Sequence, residues 1–188
     1  MKNKIAIIGT VGIPAKYGGF ESLVEYLTKY LADSSSMLVF CSSRSYDKKY
    51  RKHNNANLTY LPLKANGIQS IPYDIISIIF SIFNREIKTL LILGVSGAII
   101  LPFIRLFSNK RIVCNIDGLE WKRGKWSPVI SKFLKFSERL AVKYSDHIVC
   151  DNMAILNYVK KEYAVHDCSL IFYGADHVNK VEIEQQLF

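Results

Sequence analysis

The chain has 188 residues, of which 49% are apolar and 22% charged, and its formal net charge is +9. That length and apolar share suit one domain with a sizeable core and exclude a disordered segment. The cation excess favours an anionic partner, whether a phosphorylated substrate, an anionic membrane surface or nucleic acid. Nucleic acid is the poorest of the three, because the cations are dispersed and no basic–aromatic platform or recognition helix is present.

Ile5–Ile8 is a short apolar run that leads straight into a turn, too short for a signal peptide. Phe20–Leu31 has helical period, with Leu23, Val24, Leu27, Tyr30 and Leu31 on one face. Leu38–Cys41 reads as a strand, Tyr46–Asn55 as a strongly basic, solvated helix or loop, and Leu58–Leu63 as a further strand. Ile71–Phe83 is apolar on nearly every face. It reads as a core helix between layers, with a lipid or membrane surface as the alternative. Leu90–Ile104 is the longest apolar stretch but falls short of the ~20 residues that span a bilayer, and reads as a buried strand followed by a helix. Ile112–Ile116 is a strand. Ser127–Tyr144 opens with Ser127 as N-cap and Pro128 in the first turn. His147–Cys150 is a strand, and Asn152–Tyr163 opens with Asn152 as N-cap and groups Ile155, Leu156 and Val159. Ser169–Tyr173 is the last strand. Asn179–Phe188 is polar, a tail or the start of a connection.

Most of these strands are continuously apolar, as strands covered on both faces are. Their alternation with helices predicts an α/β, doubly wound, Rossmann-like domain over residues 1–178, with a mainly parallel sheet of about six or seven strands. Cys41, Cys114, Cys150 and Cys168 form no CxxC pair and read as buried reduced thiols. His53, His147, His166 and His177 lack metal-ligand spacing, so no metal is expected. The protein is expected to be cytoplasmic, resting at most on the membrane's inner face.

Ligands of open α/β sheets bind beyond the strands' carboxyl ends, so the loops there carry the candidate chemistry. The first, Gly9–Ser22, places Gly18-Gly19 before a helix, where free N–H groups and the helix dipole suit an anion; Lys16 adds a charge and Tyr17 lies beside it. It is not the dinucleotide fingerprint, since no G-x-G-x-x-G follows the strand. The second, Asp117–Trp126, packs two carboxylates, three cations and two tryptophans into ten residues. Asp117 is placed to hold a hydroxyl or act as a base. Glu120 is placed for polar contacts, Lys122, Arg123 and Lys125 for phosphate, and Trp121 and Trp126 for stacking on a sugar ring. Alternatively, the tryptophans anchor the core and the cations are solvated. Asp151-Asn152 reads chiefly as a helix cap. Tyr173–His177 follows the last strand as a hinge or cleft element.

Gly12–Ser22, Asp117–Trp126, Asp151-Asn152 and Tyr173–Asp176 together resemble the signatures of bacterial rhamnosyltransferases of polysaccharide synthesis, over about Lys4 to His177. Those proteins are retaining glycosyltransferases with two facing Rossmann-like domains. The resemblance implies an N-terminal, acceptor-side half, with a saccharide or lipid-linked saccharide as acceptor. It also implies a nucleotide-sugar donor bound mainly by a second domain of similar size expected after Asp176, and a reaction needing neither metal nor cofactor. The loop carrying Gly18-Gly19 would approach the donor diphosphate. Asp117 would stand where many relatives carry a histidine, as the catalytic or hydroxyl-orienting residue. This half alone is expected to be inactive. A non-catalytic α/β module that binds a phosphorylated ligand or a partner protein is the alternative.

Overall fold

The computed structural model describes residues 3–31, 34–165 and 167–174. In chain order the elements are β1 (Asn3–Ile8), α1 (Gly19–Tyr30), β2 (Ser35–Ser42), β3 (Lys52–His53), β4 (Ala56–Leu61), α2 (Ser70–Phe83), β5 (Ile87–Leu93), α3 (Leu101–Phe107), β6 (Arg111–Ile116), α4 (Pro128–Tyr144), β7 (His147–Cys150), α5 (Met153–Tyr163) and β8 (Cys168–Leu170). Short 3-10 turns lie at Gly67–Gln69, Ala98–Ile100 and Glu120–Lys122.

The strands form one sheet in the order β3-β4-β2-β1-β5-β6-β7-β8. Every neighbouring pair is parallel except β3 and β4, which are antiparallel through Lys52–Asn57 and His53–Ala56. The seven parallel strands are those the apolar runs predict. The eighth, β3, is two residues long and falls in the basic segment expected to be loop or helix; no hydrophobic run announces it.

The chain winds outward from β1 through β2 to β4, then returns through α2 to β5 on the other side of β1. This reversal makes β1/β5 the switch point, where a crevice opens beyond the strand ends. Ala6 and Ile8 point into the larger core with Leu38, Phe40, Leu90, Ile92, Ile112 and Cys114, beneath α2–α5. Ile7 points the other way, to Val39, Met37, Leu58 and Val24 of α1. Both faces are thus covered, which is why the strands read as unbroken apolar runs.

Two helices begin as their sequences predict. The Ser127 hydroxyl accepts from the Ile130 N–H, and Asn152 Oδ1 accepts from the Ile155 N–H at 2.9 Å. Helix α2 behaves differently. It packs on the core, but with its polar stripe inward: Tyr73, Asp74, Ser77, Ile78 and Ser81 are buried. The hydroxyls of Ser77 and Ser81 donate back to Tyr73 O (2.8 Å) and Ser77 O (2.7 Å), and Tyr73 donates to Thr10 O. Ile76, Phe80 and Phe83 face outward.

The basic Tyr46–Asn55 segment is tied to α1. His53 Nε2 lies 2.6 Å from Glu25 Oε1, and Asn54 Nδ2 donates to the Glu25 carbonyl. It lies across the sheet from α2, so Lys48, Lys49, Arg51 and Lys52 share no surface with Ile71–Phe83. Among the described residues no helix is long and apolar enough to cross a membrane. Cys41, Cys114 and Cys150 are buried free thiols, and burial pushes them up to about 11, 12 and 11, so they are poor nucleophiles. Ala175–His177 and the 179–188 segment fall outside the described residues.

Candidate functional site

At the β1/β5 switch point lies a cavity of about 180 Å³. Gly9 after β1, Gly94 after β5 and Gly118 after β6 line it. Gly9 and Gly94 have φ of +95° and +83°, which side chains rarely adopt, and a Cβ on Gly9 would overlap the Leu93 carbonyl. Glycine at position 9 thus lets the ends of β1 and β5 approach closely beside the cavity. Asp117 and the N-terminal turn of α2, through Ser70 and Asp74, form opposing walls, and Glu120, Arg123, Lys125 and Trp126 close the rim.

Two carboxyl groups in this cavity have displaced proton affinities. Asp74 is 2% exposed. Its Oδ2 accepts from the Ser96 hydroxyl, while Oδ1 has no hydrogen-bond partner among the described residues. Burial, only partly offset by Ser96, pushes its carboxyl up to about 7. Gly97 permits this fit, since a Cβ there would lie 2.5 Å from the Asp74 Cβ. Asp117 is also raised, first by burial and then by Asp151, against the pull of Arg123. Tyr173 borders the same group, its phenol raised by burial and by Asp117 and Asp151.

The expected site residues divide between three places. Asp117, Glu120 and Arg123 share the cavity. Glu120 is an internal hub: Arg123 Nε and Lys125 Nζ both lie 2.8 Å from its oxygens, and Trp126 Nε1 donates to it at 3.0 Å. Trp121 and Lys122 turn away towards α4 and α5. The Trp121 indole N–H donates to Glu138 at 3.2 Å, and Lys122 and Lys135 lie over its ring. The reason is local: Glu138 is fully buried on α4 and gathers Trp121, Tyr158 and Tyr163, with Lys135 beside it. The two tryptophans thus lie in different hollows, Trp126 in this cavity and Trp121 in the one beside α4 and α5.

The glycine-rich loop is on the same sheet edge but lines a neighbouring hollow. Gly18 and Gly19 face Tyr26, Phe172 and Tyr173, and only Gly9 and Phe20 of that stretch reach the Asp117 cavity. The loop is held by α1 itself. Glu21 accepts from the Val11 N–H at 2.7 Å and the Thr10 hydroxyl, and Glu25 accepts from the Ala15 N–H at 3.0 Å. A Cβ on Gly18 would strike the Glu21 carboxylate, so that glycine makes room for an internal acid. Lys16 donates to Ser45 O at 2.8 Å and sits over the Tyr46 ring, while Tyr17 is 93% exposed. Tyr173 lines the second hollow, its ring 3.8 Å from the position of a Gly19 Cβ.

Sequence reasoning passed over Asp74, because it sits in the most apolar stretch of the chain. The signal was the lone carboxylate of a helix whose other polar residues are serines and a tyrosine. Among the described residues no cluster of histidine, cysteine and carboxylate side chains could hold a metal ion. The cavity brings together two carboxyl groups, Asp74 and Asp117, the cations Arg123 and Lys125, and the rings of Phe20 and Trp126.

The same fold covers about half of each of two solved enzyme structures. Sucrose-phosphate synthase from Thermosynechococcus elongatus superposes with a TM-score of 0.70 at 13% identity, covering 93% of this chain and 49% of that one. The apo form of the lipopolysaccharide outer core galactosyltransferase WaaB gives a TM-score of 0.50 at 16% identity, covering 90% and 45%. The chain thus spans about half the length of these two structures. No curated protein sequence matches it. Residues 2–176 match the family described as a domain of unknown function, DUF1972, and the chain belongs to that family.

Proposed function

We propose that the chain is the acceptor-side half of a sugar transferase that moves a rhamnosyl or related hexosyl group from a nucleotide-sugar to a saccharide, lipid-linked at the membrane surface, in surface polysaccharide synthesis. One observation carries the reading: a cavity at the β1/β5 switch point, floored by glycines, holds two carboxyl groups of raised proton affinity, Asp74 and Asp117. A raised carboxyl at a strand's end suits an acceptor hydroxyl, which it orients and from which it takes the proton as the oxygen attacks the anomeric carbon. Arg123 steadies Asp117, and the rim cations face the developing diphosphate charge. The likeness to half of two glycosyltransferase structures supports the same reading, and the donor then binds mainly to a second domain.

The test is transfer from nucleotide-activated rhamnose and other nucleotide-hexoses to a bacterial lipid extract, using the product of the full reading frame. Asp117→Asn lowers kcat by about 10²–10⁴-fold with the fold intact. Wild-type turnover in that variant would assign Asp117 to structure, and turnover by the 188-residue chain alone would overturn the half-site reading.

A further inference from the structure

The hollow beside α4 and α5 plays no part in the transfer chemistry at Asp117. Its volume is about 970 Å³, in the range of sites that hold small organic ligands. Four cations line it, Lys122, Lys132, Lys135 and Arg139, against a single carboxylate, Glu162. Its floor is fixed from within. The fully buried Glu138 accepts from Trp121, Tyr158 and Tyr163, and Lys135 Nζ lies 2.8 Å from Glu162 Oε1 and 3.0 Å from the Tyr163 hydroxyl. Lys122 and Lys135 lie over the Trp121 ring, at 5.2 and 4.8 Å from its centre.

Two of the four cations are therefore engaged. The other two, Lys132 and Arg139, are exposed and have no ion pair or hydrogen bond among the described residues. Lys132, Lys135, Phe136 and Arg139 follow one another at i, i+3, i+4 and i+7, so they form one stripe along α4. Lys132 and Arg139 end that stripe, two turns apart, or about 10 Å along the axis. Phe136, 51% exposed, stands between them. A lone phosphate uses one end of such a stripe. Acid groups spaced along a chain of sugar rings use both, and the ring between them covers Phe136. A nucleic-acid strand fits less well, because its successive bases call for more than one free aromatic face.

We propose that the hollow beside α4 and α5 binds an acidic oligosaccharide. Lys132 and Arg139 each meet an acid group, the intervening sugar lies on Phe136, and Glu162 Oε2 accepts from a hydroxyl. The turn Glu120–Lys122 runs from the cavity rim into the hollow, so the bound chain sits beside the loop that carries Glu120 and Arg123 to the cavity. The site rests on the transferase reading only for the origin of its ligand, the glycan under construction. Binding measured without a donor is independent of transfer, so either can fail while the other stands.

The experiment is isothermal titration calorimetry of the product of the full reading frame with trigalacturonate, maltotriose and inorganic phosphate, without nucleotide-sugar, at low and high salt. Trigalacturonate binds at low salt and more weakly at high salt. Maltotriose, which has no acid group, and inorganic phosphate, which spans one end of the stripe, each bind at least about tenfold more weakly. Lys132→Gln/Arg139→Gln weakens trigalacturonate at least about tenfold, and Phe136→Ser about threefold or more. Lys48→Gln/Lys49→Gln, on the other side of the sheet, binds as wild type. All five positions are exposed, and circular dichroism confirms that each variant is folded. Absence of trigalacturonate binding, or equal affinity for maltotriose or for inorganic phosphate, would overturn the proposal. So would unchanged binding by Lys132→Gln/Arg139→Gln, or an equal loss in Lys48→Gln/Lys49→Gln, which would reduce the effect to general charge.

Discussion

Asp74 should make the domain less stable as pH rises, and replacing it with asparagine should remove that dependence. The carboxyl sits at about 7 in the fold against an ordinary 3.8, a rise of about three units. At 1.36 kcal/mol per unit this amounts to about 4 kcal/mol of stability. The sign follows from which form the fold prefers. The protonated acid suits a buried site whose Oδ1 has no hydrogen-bond partner among the described residues, so its stabilising contribution is complete below about pH 4 and is lost as pH rises through about 7. Asparagine keeps the shape and an acceptor for the Ser96 hydroxyl, and it never ionises. Urea unfolding of wild type and Asp74→Asn at pH 5 and pH 8 checks this. The stability gap in favour of the variant should widen by roughly 2–3 kcal/mol between the two pH values. A gap that stays constant would refute the reasoning and place the carboxylate in contact with water or an unseen donor.

Two further perturbations test the scaffold around the site. Glu138→Ala removes the buried acceptor shared by Trp121, Tyr158 and Tyr163 and leaves Lys135 its ion pair with Glu162; thermal unfolding should show a loss of about 3–5 kcal/mol, and a loss below about 1 kcal/mol would mean the network is not internal. Gly9→Ala forces a methyl into the Leu93 carbonyl at positive φ, so chemical denaturation should show a loss of at least about 2 kcal/mol, whereas Gly124→Ala, which meets no atom within 4 Å, should be close to neutral.

The sheet was legible because its strands are buried on both faces, and a continuous apolar run between turn residues has few other homes. The caps at Ser127 and Asn152 were legible for an equally local reason, since a side-chain oxygen needs only the next turn of its own helix. What the sequence could not convey was direction. In Ser70–Phe83 both stripes of the helix contain apolar residues, so periodicity does not say which one turns inward. That choice depends on Tyr73 finding Thr10, sixty-three positions away, and on Gly97 leaving space for Asp74. The loop after β6 was identified as dense in chemistry, but its division between Glu120 and Glu138 depends on a carboxylate buried in the next helix. The sequence of Gly18-Gly19 fits an anion cradle or an ordinary strand-to-helix turn equally well, and it gives no sign that Glu21 faces Gly18. The two-residue β3 forms by pairing with β4 and has no hydrophobic pattern of its own.

The chain has two tryptophans, and both lie in the loop after β6. Their indole N–H groups donate to different acids, Trp121 to Glu138 against the helices and Trp126 to Glu120 at the cavity rim. Indole fluorescence from this protein is therefore a local optical signal, with one emitter facing the interior network and the other facing the ligand space. Trp121→Phe leaves a single reporter on the rim, where a quencher or an arriving saccharide changes its emission directly. Trp126→Phe leaves one that responds only when α4 and α5 loosen. The two variants would separate occupation of the cavity from opening of the scaffold in one stopped-flow trace, without any added label.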